Sequence, residues 1–187
     1  MVFRGDLKKS GEQVGKMKQN EYQHIEHGFP PFYSERSKIL ILGSFPSVKS
    51  REDGFFYGHP QNRFWKMLAD VYGEAVPTGI TQKKALLERH NIALYDVIFS
   101  CDIVGSSDSS IKNVIPANLS EIIGNSQVER IILNGKTAEK FFRKYQDSSL
   151  FDMAAVMPST SPANAAFSLE KLISVWGEAL TAAEFGT

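Results

Sequence analysis

The residues best suited to chemistry lie in one stretch, residues 39–65, which reads ILILGSFPSVKSREDGFFYGHPQNRFW. After four apolar residues, hydroxyl, imidazole, amide and guanidinium groups alternate with aromatic rings. The polar members are Ser44, Ser47, Ser50, Tyr57, His59, Asn62 and Arg63, and the aromatic members are Phe45, Phe55 and Phe56. Stacking rings beside hydrogen-bonding groups suit a ligand that has both a flat ring and a charged backbone. The stretch therefore indicates a nucleotide-binding surface.

This polar and aromatic segment lies between two predicted regular elements. Residues 39–42 form an unbroken apolar run, typical of a strand that is buried on both faces. Glycines and prolines then interrupt regular structure up to Asn62, where apolar residues begin to recur with helical spacing. In an open parallel sheet such a loop lies at the carboxyl end of the strand, where ligands usually bind. A loop of this length is more often a functional surface than a simple connection.

Length and composition set broad limits on function. The chain has 187 residues, enough for one domain with a sizeable core, and its 21 basic residues equal its 21 acidic residues. Overall charge therefore gives no attraction to nucleic acid or membrane, and any DNA binding must rely on a local basic patch. No apolar run approaches the length of a membrane span, and no apolar core follows the basic residues near the N-terminus. The single cysteine excludes an internal disulfide, and a reducing cytoplasm is the expected setting.

Several motifs that would indicate another function fail on inspection. Gly135-Lys136-Thr137 resembles the end of a phosphate-binding P-loop, but Arg130 stands where that motif needs its first glycine. No G-x-S-x-G motif occurs, so the nucleophile elbow of a hydrolase is absent from the sequence. Cys101 has no recognisable partner and is expected to be a half-buried apolar residue. The histidines lack metal-binding spacing, and each is expected to lie on the surface or in a loop; they are His24, His27, His59 and His90.

Apolar patterning predicts four short strands that alternate with helices. The predicted strands are residues 39–42, 92–98, 128–133 and 153–157, and the predicted helices are residues 62–73, 81–89 and 117–123 and two amphipathic segments near 138–145 and 169–180. This alternation predicts an α/β fold with a parallel sheet covered on both faces. Residues 1–25 are predicted to form a flexible arm, and residues 26–187 a single domain.

The loops that follow the four strands are the candidate site. They comprise residues 43–61, the segment after Asp96, residues 134–137 and residues 158–164. Because the carboxyl ends of parallel strands lie along one edge of the sheet, these four polar loops are expected to converge there.

The motifs in these loops resemble those of the uracil-DNA glycosylase superfamily, whose members remove deaminated bases from DNA. The matching pieces are LILGSFPS (40–47), GFFYGHPQNRFW (54–65), IALYDVI with GSSDSSI (92–98 and 105–111) and MPSTSPANA (157–165). Within the superfamily they most resemble the hypoxanthine- or deoxyinosine-DNA glycosylase branch, and then the mismatch-specific uracil/thymine branch. The resemblance implies a three-layer α/β/α sandwich around a four-stranded parallel sheet.

One departure from the mismatch-specific branch bears on mechanism. That branch has an asparagine at the third position of its first motif, where it holds the attacking water, and Phe45 stands there instead. In the hypoxanthine branch, catalysis is associated with an asparagine that maps to Asn62. An amide suits a reaction that needs a placed water and stabilisation of a departing ring. Asn62 also stands at a predicted helix start, where it would serve as a helix cap.

The resemblance also implies how a flipped-out base would be held. Tyr57 corresponds to a stacking aromatic residue, although core packing is the alternative. The backbone N–H groups of Ser44 and Phe45 correspond to contacts with the base edge. Asn134 is a candidate to read the ring through its amide or to close the strand with a turn. Asp96 is a candidate to orient a water or to hold a loop.

The segment PSTSPAN resembles the loop that clamps the DNA backbone in the superfamily. Its hydroxyl residues are candidate phosphate donors, and other candidates complete a local polar or positive edge; the DNA-binding candidates are Ser50, Arg63, Lys136, Ser159, Thr160 and Ser161. No metal or organic cofactor is expected, since water is the only second substrate. The expected partner is double-stranded DNA that contains a damaged base, bound by a monomer. The alternative is a nucleic-acid-binding module of the same fold that does no chemistry, because Phe45 replaces an amide.

Overall fold

The computed structural model describes residues 21–181. In chain order its elements are β1 (Gln23–Glu26), β2 (Ile39–Gly43), α1 (Val48–Asp53), α2 (Phe64–Val71), α3 (Ile80–Arg89), β3 (Ile92–Asp96), β4 (Ile98–Ile103), β5 (Lys112–Pro116), α4 (Ser120–Gly124), β6 (Arg130–Asn134), α5 (Lys136–Tyr145), β7 (Ala154–Met157) and α6 (Leu169–Thr181). Two short 3₁₀ helices lie at Asp108–Ser110 and Ser148–Met153.

A four-stranded parallel sheet forms the centre of the fold, in the order β3-β2-β6-β7. Every residue of β2 and of β3 is buried, as expected for strands covered on both faces. The register places Gly43 opposite Asp96, Leu42 opposite Leu133, and Asn134 opposite Met157. The carboxyl ends of all four strands are therefore level, and the loops that follow them start from one edge.

Helices cover this sheet through their apolar faces. Helix α3 contacts β3, α5 contacts β6, and α6 contacts both β7 and α2. At the contact between α2 and α6, the rings of Phe64 and Trp176 meet nearly edge to face, and both side chains are fully buried. No helix within residues 21–181 is long and apolar enough to cross a membrane.

A second sheet was not predicted from the sequence. Strands β1, β4 and β5 form an antiparallel sheet in the order β1-β4-β5. The predicted strand 92–98 is two strands, because the chain leaves the parallel sheet after Asp96 and Ile98 begins β4. The bend is held by the N–H of Val97, which donates to the carbonyl of Gly43. Strand β5, with the sequence KNVIP, is mostly exposed and begins with two polar residues, so it lacks the continuous apolar run that marks a buried strand in sequence.

Two other boundaries differ from the sequence prediction. Most of the predicted arm, residues 1–20, lies outside the described residues, but its end is paired, since Gln23–Glu26 forms β1 against β4. Helix α1 lies inside the stretch that was predicted to be irregular. The Ser47 hydroxyl accepts a hydrogen bond from the N–H of Ser50 and caps its start. Gly54 ends it in the left-handed conformation, at φ 65°.

Candidate active site

A cavity of about 500 Å³ opens at the carboxyl edge of the parallel sheet. It is lined by strand ends, among them Gly43, Asp96 and Asn134, and by all four loops that were predicted to converge there. Its volume is within the range of pockets that hold small organic ligands. The convergence of loops far apart in sequence follows from the level strand ends described above.

The most deeply buried polar contact of the site joins Asp96 to His27. The imidazole Nε2 lies 2.8 Å from Asp96 Oδ2, and Nδ1 lies 2.8 Å from the carbonyl oxygen of Phe29. His27 lies in the loop after β1, as one of the two sequence alternatives expected, but it is not on the surface, since both side chains are buried. The remaining carboxylate oxygen of Asp96 makes no hydrogen bond within residues 21–181, and Asp96 lines the cavity.

Gly43 provides the space that this carboxylate occupies. A Cβ atom at Gly43 would lie 2.2 Å from Asp96 Oδ1 and 3.5 Å from the Tyr57 hydroxyl oxygen. No side chain fits at that position without displacing Asp96. The absence of a side chain at Gly43 therefore allows the free oxygen of Asp96 and the Tyr57 hydroxyl to lie close to the same strand end.

Tyr57 lines the cavity as a stacked ring. Its ring centroid lies 3.9 Å from that of Phe64 at an interplanar angle of 21°, so only the opposite face is available to a ligand ring. The backbone adopts φ 53°, an uncommon conformation for a residue with a side chain. The hydroxyl is buried and has no hydrogen-bond partner of good geometry among the described residues. Burial and the nearby Asp96 raise the Tyr57 pKa, while the Asn134 amide in its vicinity opposes this rise, so the hydroxyl stays protonated.

Asn62 lies at the start of α2, as its sequence position indicated, and one end of its amide is bonded while the other is free. Its Oδ1 accepts a hydrogen bond of 3.0 Å from the N–H of Phe64, the first residue of α2, so the carbonyl oxygen of the amide caps the helix. The NH₂ group of the same amide has no partner within the part of the chain that the structure describes. Asn62 is half-buried and lines the cavity, and its two free donors are available to a ligand.

Asn134 serves mainly to hold the loop that follows β7. Its Nδ2 donates to the Thr160 hydroxyl, and its Oδ1 accepts from the backbone N–H of Thr160, each at 3.0 Å. These two bonds leave only one amide hydrogen for a base. Thr160 is itself completely buried, and its hydroxyl is not placed to reach a phosphate.

Arg63 is also committed to this loop. Its Nε donates to the carbonyl of Thr160 and its Nη2 to that of Asn164, at 3.2 and 3.0 Å. Two further bonds from its Nη groups reach the carbonyls of Ser161 and Phe167. The guanidinium therefore supports the loop from within the protein, and its donors are already bonded to loop carbonyls.

The other predicted DNA-binding residues divide into two groups. Ser50 is buried, and its hydroxyl accepts from the N–H of Gly58 at 2.9 Å and contacts the Ser47 hydroxyl, so it stabilises the first loop. Ser159 and Ser161 are half-buried, and each hydroxyl oxygen accepts a backbone N–H while its own hydrogen stays free to donate. Lys136 is 87% exposed and pairs with a carboxylate on its own helix at 3.0 Å. The second group thus retains its capacity to contact phosphate.

The first loop offers donors to the cavity through its backbone. The backbone N–H groups of Ser44 and Phe45 donate no hydrogen bond to any of residues 21–181. Both residues line the cavity. The Ser44 hydroxyl donates to both carboxylate oxygens of Asp108, at 3.1 and 3.2 Å. Asp108 was not singled out from the sequence, although it lies within the motif GSSDSSI. Burial raises the Asp108 pKa, while the hydroxyl groups of Ser44 and Thr137 oppose this rise.

Two further sequence expectations concern metal and thiol chemistry. No group of three or more metal-ligating side chains occurs within residues 21–181. Cys101 is fully buried in β4, and burial raises its pKa to about 11. The thiol therefore stays protonated and packs as an apolar side chain.

The fold is an α/β sandwich with a ligand-sized cavity at the carboxyl edge of a four-stranded parallel sheet. Residues 30–179 match the family model described as the uracil DNA glycosylase superfamily, and the chain belongs to that superfamily. This match confirms the family predicted from the sequence, and together with the similar proteins described next it confirms the fold class and the enzyme class.

Similar proteins include two from species of Methanosarcina. A protein from Methanosarcina acetivorans named hypoxanthine DNA glycosylase is 33% identical over 148 residues, covering 77% of this chain and 91% of its own length. One of the same name from Methanosarcina barkeri is 38% identical over 89 residues, covering 47% of this chain and 56% of its own. The solution NMR structure of a candidate uracil DNA glycosylase from Methanosarcina acetivorans superimposes with a TM-score of 0.72 at 30% identity, covering 87% of this chain and 99% of that one.

Proposed function

We propose that the protein hydrolyses the N-glycosidic bond of hypoxanthine in double-stranded DNA, with uracil as its second base, and so begins base excision repair. The similarity to two proteins named hypoxanthine DNA glycosylase supports the choice of base. The observation that carries the proposal is the cavity at the sheet edge. There the unpaired NH₂ group of Asn62 and the free carboxylate oxygen of Asp96 accompany the stacked ring of Tyr57.

A damaged base must leave the DNA stack before it can enter such a cavity. In the proposed complex, the base packs against the open face of Tyr57, whose other face is held by Phe64. The unpaired backbone N–H groups of Ser44 and Phe45 donate to a carbonyl oxygen of the base. Hypoxanthine and uracil both carry such an oxygen where adenine and cytosine carry an amino group, so these donors favour the deaminated bases.

Hydrolysis breaks the bond between C1′ of the sugar and the base nitrogen, and the electron pair of that bond leaves with the base. A water oxygen then bonds to C1′; the water loses one proton and the base gains one. Asp96 Oδ1 accepts a hydrogen bond from the water and orients it. The Asn62 NH₂ group donates to the leaving base as negative charge develops on its ring. The products are the free base and an abasic site, and no metal or organic cofactor takes part.

The loop of residues 158–164 and the start of α5 provide the proposed contacts with the DNA backbone. Ser159 and Ser161 keep hydroxyl hydrogens that can donate to phosphate oxygens, and Lys136 adds an exposed positive charge. Arg63 and Asn134 hold this loop from beneath, which lowers the cost of ordering it on binding. We propose a monomer that acts on duplex DNA in the cytoplasm.

A second candidate function is binding without chemistry. Phe45 favours it, because an aromatic side chain in the first motif cannot polarise a water. This candidate gives no role to the free donors of Asn62 or to the free oxygen of Asp96, which the glycosylase uses.

The test is an excision assay on duplexes that contain inosine, uracil or xanthine, carried out in EDTA. We expect alkali-labile sites in the inosine duplex, with weaker cleavage of the uracil duplex, and no cleavage of a matched duplex with undamaged adenine. Binding of the inosine duplex without cleavage of any damaged base would refute the glycosylase and support the binding module.

A further inference from the structure

We propose that His27 is a positioning residue for the reaction: it fixes the Asp96 carboxylate so that Oδ1 stays available to the attacking water. This inference rests on the proposed function, in which Asp96 orients that water. His27 and Asp96 lie 69 positions apart in the chain, and their side chains are 1% and 7% exposed. The 2.8 Å contact between them is thus shielded from solvent, where a charge-assisted hydrogen bond is at its strongest.

The hydrogen bonds of His27 determine where its protons must be. The carbonyl oxygen of Phe29 can only accept, so Nδ1 must carry a hydrogen to donate across 2.8 Å. Nε2 faces the carboxylate oxygen Oδ2 at the same distance, and two bare lone pairs would repel each other there. One further proton therefore lies between Nε2 and Oδ2. An imidazolium that donates to an ionised Asp96 leaves Oδ1 as an acceptor for water.

The surroundings prevent either partner from turning. The His27 ring contacts the rings of Phe29 and Tyr95, with centroids 4.5 and 4.7 Å away. On the other partner, Asp96 Oδ1 lies against the bare backbone of Gly43, where a Cβ would come within 2.2 Å. With Oδ2 held by His27 and Oδ1 confined at Gly43, the carboxylate has one orientation.

The same contact explains the phenylalanine in the first motif. Phe45 packs edge-on against the His27 ring at 6.3 Å between centroids, and Phe45 is itself buried. Its side chain therefore belongs to the wall that holds the imidazole. Water orientation then passes from the first motif to Asp96, the residue that His27 fixes.

The experiment compares single-turnover base release and DNA affinity for His27→Leu and His27→Gln, using a duplex with a central inosine. Leucine fills the space but offers no donor. Glutamine carries an amide NH₂ near the position of Nε2, so it can still donate to Asp96. We expect the leucine variant to release the base about 100-fold more slowly at saturating enzyme, the scale of a misplaced reacting group, with little change in Kd. The glutamine variant should recover most of that loss.

A matched control is His24→Gln. His24 also contacts an aspartate, Asp102, at 2.8 Å, but on the surface, where the two side chains are 57% and 23% exposed. The control should release the base at the wild-type rate. A folded His27→Leu variant that releases the base at the wild-type rate would overturn the inference. So would a leucine variant that loses only DNA affinity, or a glutamine variant that is as slow as the leucine variant.

A further measurement needs no substitution. Nitrogen chemical shifts of the histidine rings in the wild-type protein should show His27 Nδ1 protonated and Nε2 in a strong hydrogen bond. A bare Nδ1 would contradict the geometry even if every His27 variant failed to fold. The wild-type arm of the kinetic assay tests the proposed function separately. An inactive wild type would refute the glycosylase and with it this role of His27, whereas an active wild type with unaffected variants would refute His27 alone.

Discussion

Arg63 offers the clearest test of how the loop beneath the proposed DNA contact is held. The perturbation is Arg63→Met, which keeps an unbranched apolar stem and removes the guanidinium. Four hydrogen bonds disappear, to the carbonyls of Thr160, Ser161, Asn164 and Phe167. All four bonds run to positions about 100 residues further along the chain, so they tie the start of α2 to the loop after β7.

The expected magnitude follows from these bonds. A hydrogen bond that involves a charged group contributes ~1.5–3 kcal/mol, so four independent bonds would set an upper limit of ~6–12 kcal/mol. The bonds share one side chain, and loop carbonyls regain water when it is removed. We therefore expect a loss of ~3 kcal/mol in the free energy of unfolding. Arg63→Lys should lose about half as much, because an ammonium cannot reproduce the planar fork.

The assay is urea unfolding of the wild type and both variants, with DNA affinity measured on the folded proteins. Lys136→Met is the matched control, since Lys136 is also a candidate DNA contact but is 87% exposed. The control should lose affinity and keep its stability. If Arg63→Met lost affinity while its stability stayed within ~0.5 kcal/mol of the wild type, Arg63 would be a DNA contact and the reasoning above would fail.

Two further predictions concern the loop hydroxyls and one surface cluster. Replacing Ser159 and Ser161 together by alanine should weaken duplex binding by ~1 kcal/mol per lost contact and leave thermal stability nearly unchanged; lower stability with unchanged affinity would make both serines structural. Hydrogen bonds from Arg89 and His90 lower the Glu74 pKa to about 2. The ionised Glu74 therefore stabilises the folded protein above the ordinary pKa of 4.5, and this contribution is lost as the pH falls toward 2. Glu74→Gln should therefore cost ~1 kcal/mol at pH 7 and progressively less toward pH 3 in urea unfolding, whereas an equal cost at both pH values would contradict the ion pair.

The parts of the fold that the sequence predicted are those marked by continuous burial. Residues 39–42 are apolar without interruption because β2 lies in the middle of the sheet, and this pattern identified the strand. Strand β5 is mostly exposed and pairs only with β4, at the edge of its sheet. It therefore has no unbroken run of buried apolar residues. The apolar run 92–98 gave no indication that the chain changes sheets at Val97. The residues before and after the bend are both buried, so both are apolar in sequence.

In the candidate site, too, the residues predicted from the sequence are those that form a local pattern, and the residues missed are those that do not. Asn62, Tyr57 and the first motif were predicted because they lie close together in sequence, around one loop. His27 was missed because its partner Asp96 lies 69 positions away and no local pattern marks a buried histidine. Arg63 and Thr160 were assigned to DNA because arginine and threonine are ordinary phosphate donors. Only the three-dimensional arrangement shows that the Arg63 donors are already bonded across the fold and that the Thr160 hydroxyl is buried, where it accepts from the Asn134 amide.

Asn62 provides the most direct test of the central claim that this cavity releases a base. Because Oδ1 caps α2, Asn62→Ala should cost ~0.5–2 kcal/mol of stability, and Asn62→Asp should restore the cap. The decisive measurement is single-turnover release of hypoxanthine by both variants when they are folded and saturated with DNA. We predict that alanine slows release by ~10²-fold or more, the scale for losing one transition-state donor. Aspartate should not restore the rate fully, since an ionised carboxylate donates no hydrogen bond. Release by the alanine variant at the wild-type rate would contradict the account.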